Sequence, residues 1–348
     1  MNPQYRWRMV VMIPGLVSLI AAAGPQRAES QMDMPDPRNS VQALALDRNG
    51  TLFMGTFGNG IFKSRDGGLH WDSISEGLGD PYIMTLLIKP SPEKKPGASK
   101  SILFAGTARF GVFRSRDEGL HWEKVNNGLI NTQVSALLYD SKNKLYAATG
   151  KGVFRSEDHG DHWTAHNTGL DDVLVRSLII DRNGSLYAGT GGKGLYKRKS
   201  ARGDWEQLSR GFEGDRGLLE NFIRVLTLGA DGTVYAGTFD GGVFTTRDGG
   251  KSWNDLNQGL VNQSIRAILA GKDGTLYLGT GRGIFARGPK DTRWSSINGA
   301  LEDLNVQSMV IDDQGHLYAG TAQHLYKGSA KGDWVPLTKQ LFGAKGGM

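Results

Sequence analysis

A short apolar run of the form Val/Ile-x-x-Leu/Ile/Met recurs seven times, beginning at Val41, Ile83, Val134, Val175, Ile223, Ile265 and Val306. Each is followed by a second run that ends in a small residue and threonine: Leu52–Thr56, Leu103–Thr107, Leu145–Thr149, Leu186–Thr190, Val234–Thr238, Leu276–Thr280 and Leu317–Thr321. A third run follows a glycine-rich turn, as at Gly60-Ile-Phe62 and Gly242-Val-Phe244. A fourth contains a tryptophan: Trp71, Trp122, Trp163, Trp205, Trp253, Trp294 and Trp334. These tryptophans lie 51, 41, 42, 48, 41 and 40 residues apart. The two long intervals hold insertions, around Lys89–Ser101 and at Gly211–Asn221, so the underlying period is about forty residues, one four-stranded blade. The sequence predicts an all-β chain, a single seven-bladed β-propeller of four-stranded antiparallel blades. A linear stack would need atypical capping repeats; the first and last copies here are ordinary, which favours a closed ring.

The strand chemistry agrees. The first run is apolar at nearly every position, as a strand between neighbouring blades should be. The second carries an aromatic in every copy, a large surface to bury where blades meet. Asn49-Gly50, Asn183-Gly184, Asp231-Gly232 and Asp273-Gly274 predict tight hairpins between first and second strands. With 50 glycines and 39% apolar residues, the composition suits many short strands and turns. All seven copies read as complete, so no strand exchange is expected at the closure; Met34–Ser40 and Leu341–Met348 are the segments free to pair there.

Four copies carry a more specific motif between third and fourth strands: Ser64-Arg-Asp-Gly-Gly-Leu-His-Trp71, Ser115-Arg-Asp-Glu-Gly-Leu-His-Trp122, Ser156-Glu-Asp-His-Gly-Asp-His-Trp163 and Thr246-Arg-Asp-Gly-Gly-Lys-Ser-Trp253. The hydroxyl and carboxylate can bond turn backbone groups, and the glycine can take a positive φ. Blades four, six and seven keep the tryptophan without the rest, so these aspartates read as structural. The pattern resembles the Asp-box, or bacterial neuraminidase repeat. Among Asp-box propellers the chain is most similar to the photosystem II stability/assembly factor family, over about Val41–Leu341. That resemblance implies a non-enzymatic assembly helper with an arginine patch toward its partner and no cofactor. The run Val175–Thr190 is also similar to propellers of two-component sensors, a role that would require a separate membrane partner.

The chain opens with Arg6 and Arg8, the apolar run Met9–Ile20 broken by Pro14, and Ala21-Ala-Ala23. This is the layout of a secretory signal peptide, and the run is too short for a spanning helix. The expected organisation is a signal at 1–23, an extension at 24–40, the propeller at 41–341 and a flexible tail at 342–348, in an exported protein, periplasmic or secreted. There are no cysteines, so neither disulfides nor a lipid-anchored cysteine are available. The formal charge of +6 comes from scattered Lys and Arg, which gives no nucleic-acid signature.

If the motif turns define one face of the ring, ligands are expected on the other, by fold analogy. Arg176, Arg224 and Arg266 occupy the same register of three consecutive blades there, where the other blades have Gln42, Met84, Ser135 and Gln307. Neighbouring loops add Arg109, Lys151, Lys193 and Arg282. Guanidinium groups at one mouth suit a carboxylate, a phosphate or an acidic protein surface. The expected partner is therefore a protein, with a membrane-protein complex or another anionic ligand also fitting. The alternative pairing is with nearby acids such as Asp171, Asp172, Glu220 or Glu302. Sialidases also bind a carboxylate with three arginines, but their Phe/Tyr-Arg-Ile-Pro signature is absent and their rings have six blades; xyloglucanases need two propellers. Other glycosidases need two opposed carboxylates, and Asp215, Glu220 and Asp240 are not singled out by any pattern. His159, His162 and His166 cluster in blade three without a recognised zinc spacing, so no metal site is expected.

Overall fold

Every repeat folds into one antiparallel sheet whose four strands lie side by side in chain order. The computed structural model describes residues 36–90, 101–170, 174–199, 203–208 and 222–343. The expected signal peptide, most of the two insertions, and Asp171, Asp172, Asp215 and Glu220 lie outside them. Among the described residues the seven sheets run from Val41–Leu46 at the first strand of blade 1 to Val335–Pro336 at the fourth strand of blade 7. The only helices there are a 3₁₀ turn, Pro37–Asn39, and a short α-helix, Lys339–Gly343.

The first strands contact one another in sequence around a circle, including blade 7 against blade 1. They are thus innermost, and half of each faces a central channel. Their burial alternates, as in the buried–intermediate–buried start of Val41–Leu46. The most enclosed strand is the second, in which all five residues of Leu52–Thr56 and of Leu317–Thr321 are buried. This differs from the fully sandwiched first strand expected above; the channel wets one side of the inner strand, whereas the second has neighbouring blades on both sides.

Each residue of the second run has a separate task. Its aromatic packs on the following blade, so that Tyr318 of blade 7 joins Val41, Leu52 and Met54 of blade 1. Its glycine lets the next inner strand approach: a Cβ at Gly55 would lie 2.5 Å from Ile83 Cγ2, and one at Gly320 2.5 Å from Val41 Cγ1. Its threonine is buried and ties the loop between second and third strands, with Thr56 Oγ1 donating to Gly60 O (3.0 Å) and accepting from Asn59 N (2.9 Å).

The tryptophans sit one residue before very short fourth strands, such as Asp72–Ser73 after Trp71. Five are buried and donate their indole N–H to a backbone carbonyl of the preceding blade: Trp122 to Ile74, Trp163 to Val125, Trp205 to His166, Trp294 to Leu256 and Trp334 to Ile297. The tryptophan is therefore a joint between blades as well as a hairpin anchor.

The ring closes without strand exchange, as expected. Ser308 Oγ donates to Val41 O at 2.9 Å. Leu341 and Phe342 do pack across the closure, on the blade 7–blade 1 core, with Phe342 edge-on to Phe62 at 6.0 Å between ring centroids.

Candidate functional site

Strand direction divides the loops between two faces. The turns from first to second strand and the Ser/Thr-x-Asp hairpins lie at one end. At the other end lie the loops from second to third strand and those entering each first strand. Backbone bonds join the latter two sets across blade boundaries: Gly60 N donates to Pro81 O (3.2 Å), Gly111 N to Thr132 O (2.9 Å), and Phe57 bridges Tyr82.

On that second face every inner strand carries a β-bulge at its second residue. The register shifts between Val41 and Ala43, Ile83 and Thr85, Val175 and Ser177, Ile223 and Val225, Ile265 and Ala267, and Val306 and Ser308. In blade 3 the shift falls opposite Ala148 and Thr149, whose partners are Ala136 and Val134, so Ser135 is the extra residue. A bulge leaves its extra residue unpaired and re-aims the side chain. The seven extra residues are Gln42, Met84, Ser135, Arg176, Arg224, Arg266 and Gln307, all half-buried. The register read from sequence is thus a structural ring at the channel mouth, with the arginines on one arc of it.

The three arginines reach different neighbours. Arg176 lies over the Phe222 ring (5.6 Å to the centroid), and its buried Nε has no hydrogen-bond partner. Arg224 lies over Phe239 at 4.5 Å and donates from Nη1 to Ser264 Oγ at 3.3 Å. Phe222 and Phe239 are 5.5 Å apart, so two aromatic rings stand between two guanidinium groups. Arg266 donates from Nη1 to Asn305 Oδ1, and its Nε too is buried without a partner. Burial lowers the pKa of Arg176, and that of Arg266 despite the opposing field of Asp303. Among the described residues neither Arg176 nor Arg266 forms an ion pair.

The loop cations sit farther out on the same face. Arg109 is exposed at its tip but engaged: Nη2 donates to Asp80 Oδ1 (3.0 Å), and the guanidinium lies 4.4 Å from the Tyr82 centroid. Asp80 is fully buried and also accepts from Arg109 N, so this arginine clamps its own loop to an acid the sequence did not single out. Lys151, Lys193 and Arg282 are exposed, and Asp240 is exposed beside Phe239. Exposed Phe110, Ile130, Phe239, Val261 and Leu304 add apolar tips to these loops.

A cavity of about 230 Å³ opens at the channel mouth beside Arg266. Gln42, Met84 and Gln307 line it at the level of the bulges, and Leu44, Ile268 and Met309 lie two residues deeper.

On the opposite face the hairpin aspartates are committed locally. Ser64 Oγ donates to Asp66 Oδ1 (2.8 Å), which also accepts from Leu69 N and His70 N (3.0 Å each); Gly68 N donates to Ser64 Oγ (2.8 Å). The His70 amide, then its ring, then Ser64 hold the Asp66 carboxyl well below the usual range. Gly68 has φ 97°, and a Cβ there would meet Leu337 of blade 7 at 2.5 Å. The three blade-three histidines do not converge: His159 bonds Tyr139 OH through Nδ1 and accepts from Lys89 Nζ at Nε2, His162 pairs with Asp158, and His166 is buried, its pKa pushed down to about 3 by burial and by Arg198. Among the described residues no group of three or more ligand-type side chains is arranged to hold a metal, and no helix is long and apolar enough to cross a membrane.

No protein-family model and no curated protein matches the sequence. Solved structures are similar in fold. One is the extracellular domain of a candidate hybrid two-component system from B. thetaiotaomicron, with TM-score 0.68 and 20% identity, covering 84% of this chain and 39% of that one. A second is an ancestral GH74 enzyme, with TM-score 0.66 and 17% identity, covering 85% and 46%. A third is a streptogramin B lyase, with TM-score 0.67 and 11% identity, covering 84% and 94%. The chain spans less than half the length of the first two. At these identities the likeness establishes the propeller fold and nothing finer.

Proposed function

We propose that this chain is an exported, non-enzymatic propeller that serves as a binding scaffold or assembly factor of the cell envelope, receiving an anionic protein partner on its arginine-bearing face. One observation carries the reading: Arg176 and Arg266 are half-buried beside the channel, and among the described residues neither has a carboxylate as a hydrogen-bond partner. A desolvated cation that no carboxylate bonds directly is costly, and an incoming carboxylate would supply that bond. The apolar tips around the same face, Phe239 and Val261 among them, would add area to such a contact. No covalent step is involved; recognition is by charge and shape.

The signal-like start of the chain supports export, and a protein without cysteine loses nothing in an oxidising compartment. The resemblance to the photosystem II stability/assembly factor family, as a single seven-bladed ring with repeated Asp-box hairpins, supports an assembly role; the hairpins themselves are shared with sialidases and speak to fold alone. The test is capture from solubilised envelopes by the wild-type chain beside an Arg176→Gln/Arg224→Gln/Arg266→Gln variant of equal melting temperature. A partner held by the first and lost by the second is the expected result. Equal capture by both removes the arginine face from the account, and capture by neither speaks against a protein scaffold.

A further inference from the structure

We propose that the channel mouth is itself a binding site for a short-chain monocarboxylate, its head on Arg266 and its apolar body against Leu44, Ile268 and Met309. This rests on reading the arginine-bearing face as one that receives anions, and it adds the class of ligand. The carboxylate can belong to a free acid or to an acidic group of a protein partner; the chemistry at Arg266 is the same.

The bulge at the second residue of Ile265–Ala270 re-aims Arg266 out of the sheet ladder and onto the wall of the 230 Å³ cavity. One of its terminal nitrogens is held by Asn305, which fixes the plane of the guanidinium. Its Nε is buried with no partner. Asp303 is near enough to act on its charge, yet it accepts from Asn305 N and forms no ion pair with Arg266. A guanidinium fork matches a planar carboxylate.

The lining sets the ligand's charge and size. Arg266 is the only charged side chain among the described residues lining the cavity, which suits one negative charge rather than two. Gln307 of the next blade and Gln42 of the one after it bring neutral amides to the same level, and the deeper wall is apolar, with Ile268 and Met309 themselves buried. The volume holds about seven or eight groups of water size, which corresponds to a carboxylate with four to six carbons.

Calorimetric titration of the full chain with acetate, butyrate, hexanoate, hexanol and hexylammonium tests this. Hexanoate is expected to bind, with affinity rising by about fourfold per methylene from acetate, and the alcohol and ammonium are expected not to. Arg266→Gln should weaken hexanoate at least tenfold, while Arg65→Gln on the opposite face, an equal change of charge, leaves it unaltered. Methyl resonances of Met84 and Met309 in the wild-type chain should move on adding hexanoate, a readout that stands even if Arg266→Gln fails to fold. Hexanol binding as well as hexanoate, acetate as well as hexanoate, or unmoved methionine methyls would each overturn the proposal. Hexanoate binding without any captured protein would keep this site and remove the protein-partner reading. A captured partner without hexanoate binding would do the reverse.

Discussion

Asp117 and Asp158 show how one side chain can hold a hairpin and make the fold sensitive to acid. Burial raises the Asp117 carboxyl, but the His121 amide and ring and the Ser115 hydroxyl outweigh it and hold it down to about 2; Asp158 is held to about 2 by burial opposed in the same way by His162 and Ser156. A folded-state pKa below the unfolded value of about 3.9 means that the unfolded chain binds protons first as pH falls. The stabilisation is therefore complete above about pH 4 and is lost between about pH 4 and pH 2. Urea midpoints measured across that window should fall steeply for the wild type and less steeply for Asp117→Asn/Asp158→Asn. At pH 7 each single variant should cost roughly 1–3 kcal/mol, the usual loss for hydrogen bonds to a charged group. An unchanged acid slope in the double variant would assign the sensitivity elsewhere.

Elements show what was legible in the chain and what was not. The blades were legible because a forty-residue period, an aromatic and a glycine–threonine pair all mark the same strand. The bulge was present in the sequence but easily passed over. Within a strand of period two, Val175 and Leu178 cannot both face inward, nor can Ile223 and Leu226, yet both pairs are buried. An apolar spacing of three in a strand was thus its signal. The turns after the first strand are longer than expected from Asn-Gly: in Asp47–Thr51 only Gly50 takes a positive φ, and Asp47 Oδ1 accepts from Asn49 N and Thr51 N. Pairing was not legible at all, because Arg109 and Asp80 are twenty-nine positions apart and meet only once the first two strands of blade 2 pair, Ile83 opposite Thr107. The glycine of the second strand gives a test at this scale. A Cβ at Gly279 would lie 2.6 Å from Val306 Cγ1 of the next blade, whereas blade 3 already accommodates Ala148 at the equivalent place. Gly279→Ala should cost about 1 kcal/mol and Gly279→Val about 2–3 kcal/mol, read as an ordered drop in melting temperature. Equal losses would mean that backbone freedom, not interblade contact, sets the residue. Trp163→Phe should cost a further class of contact, roughly 1–3 kcal/mol for leaving the buried Val125 carbonyl unpaired, and Trp71→Phe less, because Trp71 bonds Gly68 of its own hairpin.

At the scale of the whole molecule, the joint between blade 7 and blade 1 uses the same parts as every other joint. Gly320 admits Val41 as Gly55 admits Ile83, and Tyr318 packs on blade 1 as Phe53 packs with Ile83 of blade 2. The hairpin of blade 1 is approached by Lys327 of blade 7, as Glu118 O of blade 2 is bonded by Lys63 of blade 1. Covalent continuity between consecutive blades is therefore not what orders them. The two described ends of the chain also meet on one blade, Asn39 accepting from Asn59 Nδ2 at 2.9 Å and Phe342 against Phe62. Joining those ends by a flexible linker and opening the chain between Ile130 and Asn131, in an exposed loop entering blade 3, preserves all seven complete blades. Such a permutant should unfold in a single cooperative transition within a few degrees of the parent. Deleting blade 7 instead removes the cover from Val41, Leu52 and Met54 and should yield aggregated protein. If the permutant failed to fold while the six-blade deletion stayed soluble, closure by blade packing would be the wrong account, and the order of the chain would be what holds the ring.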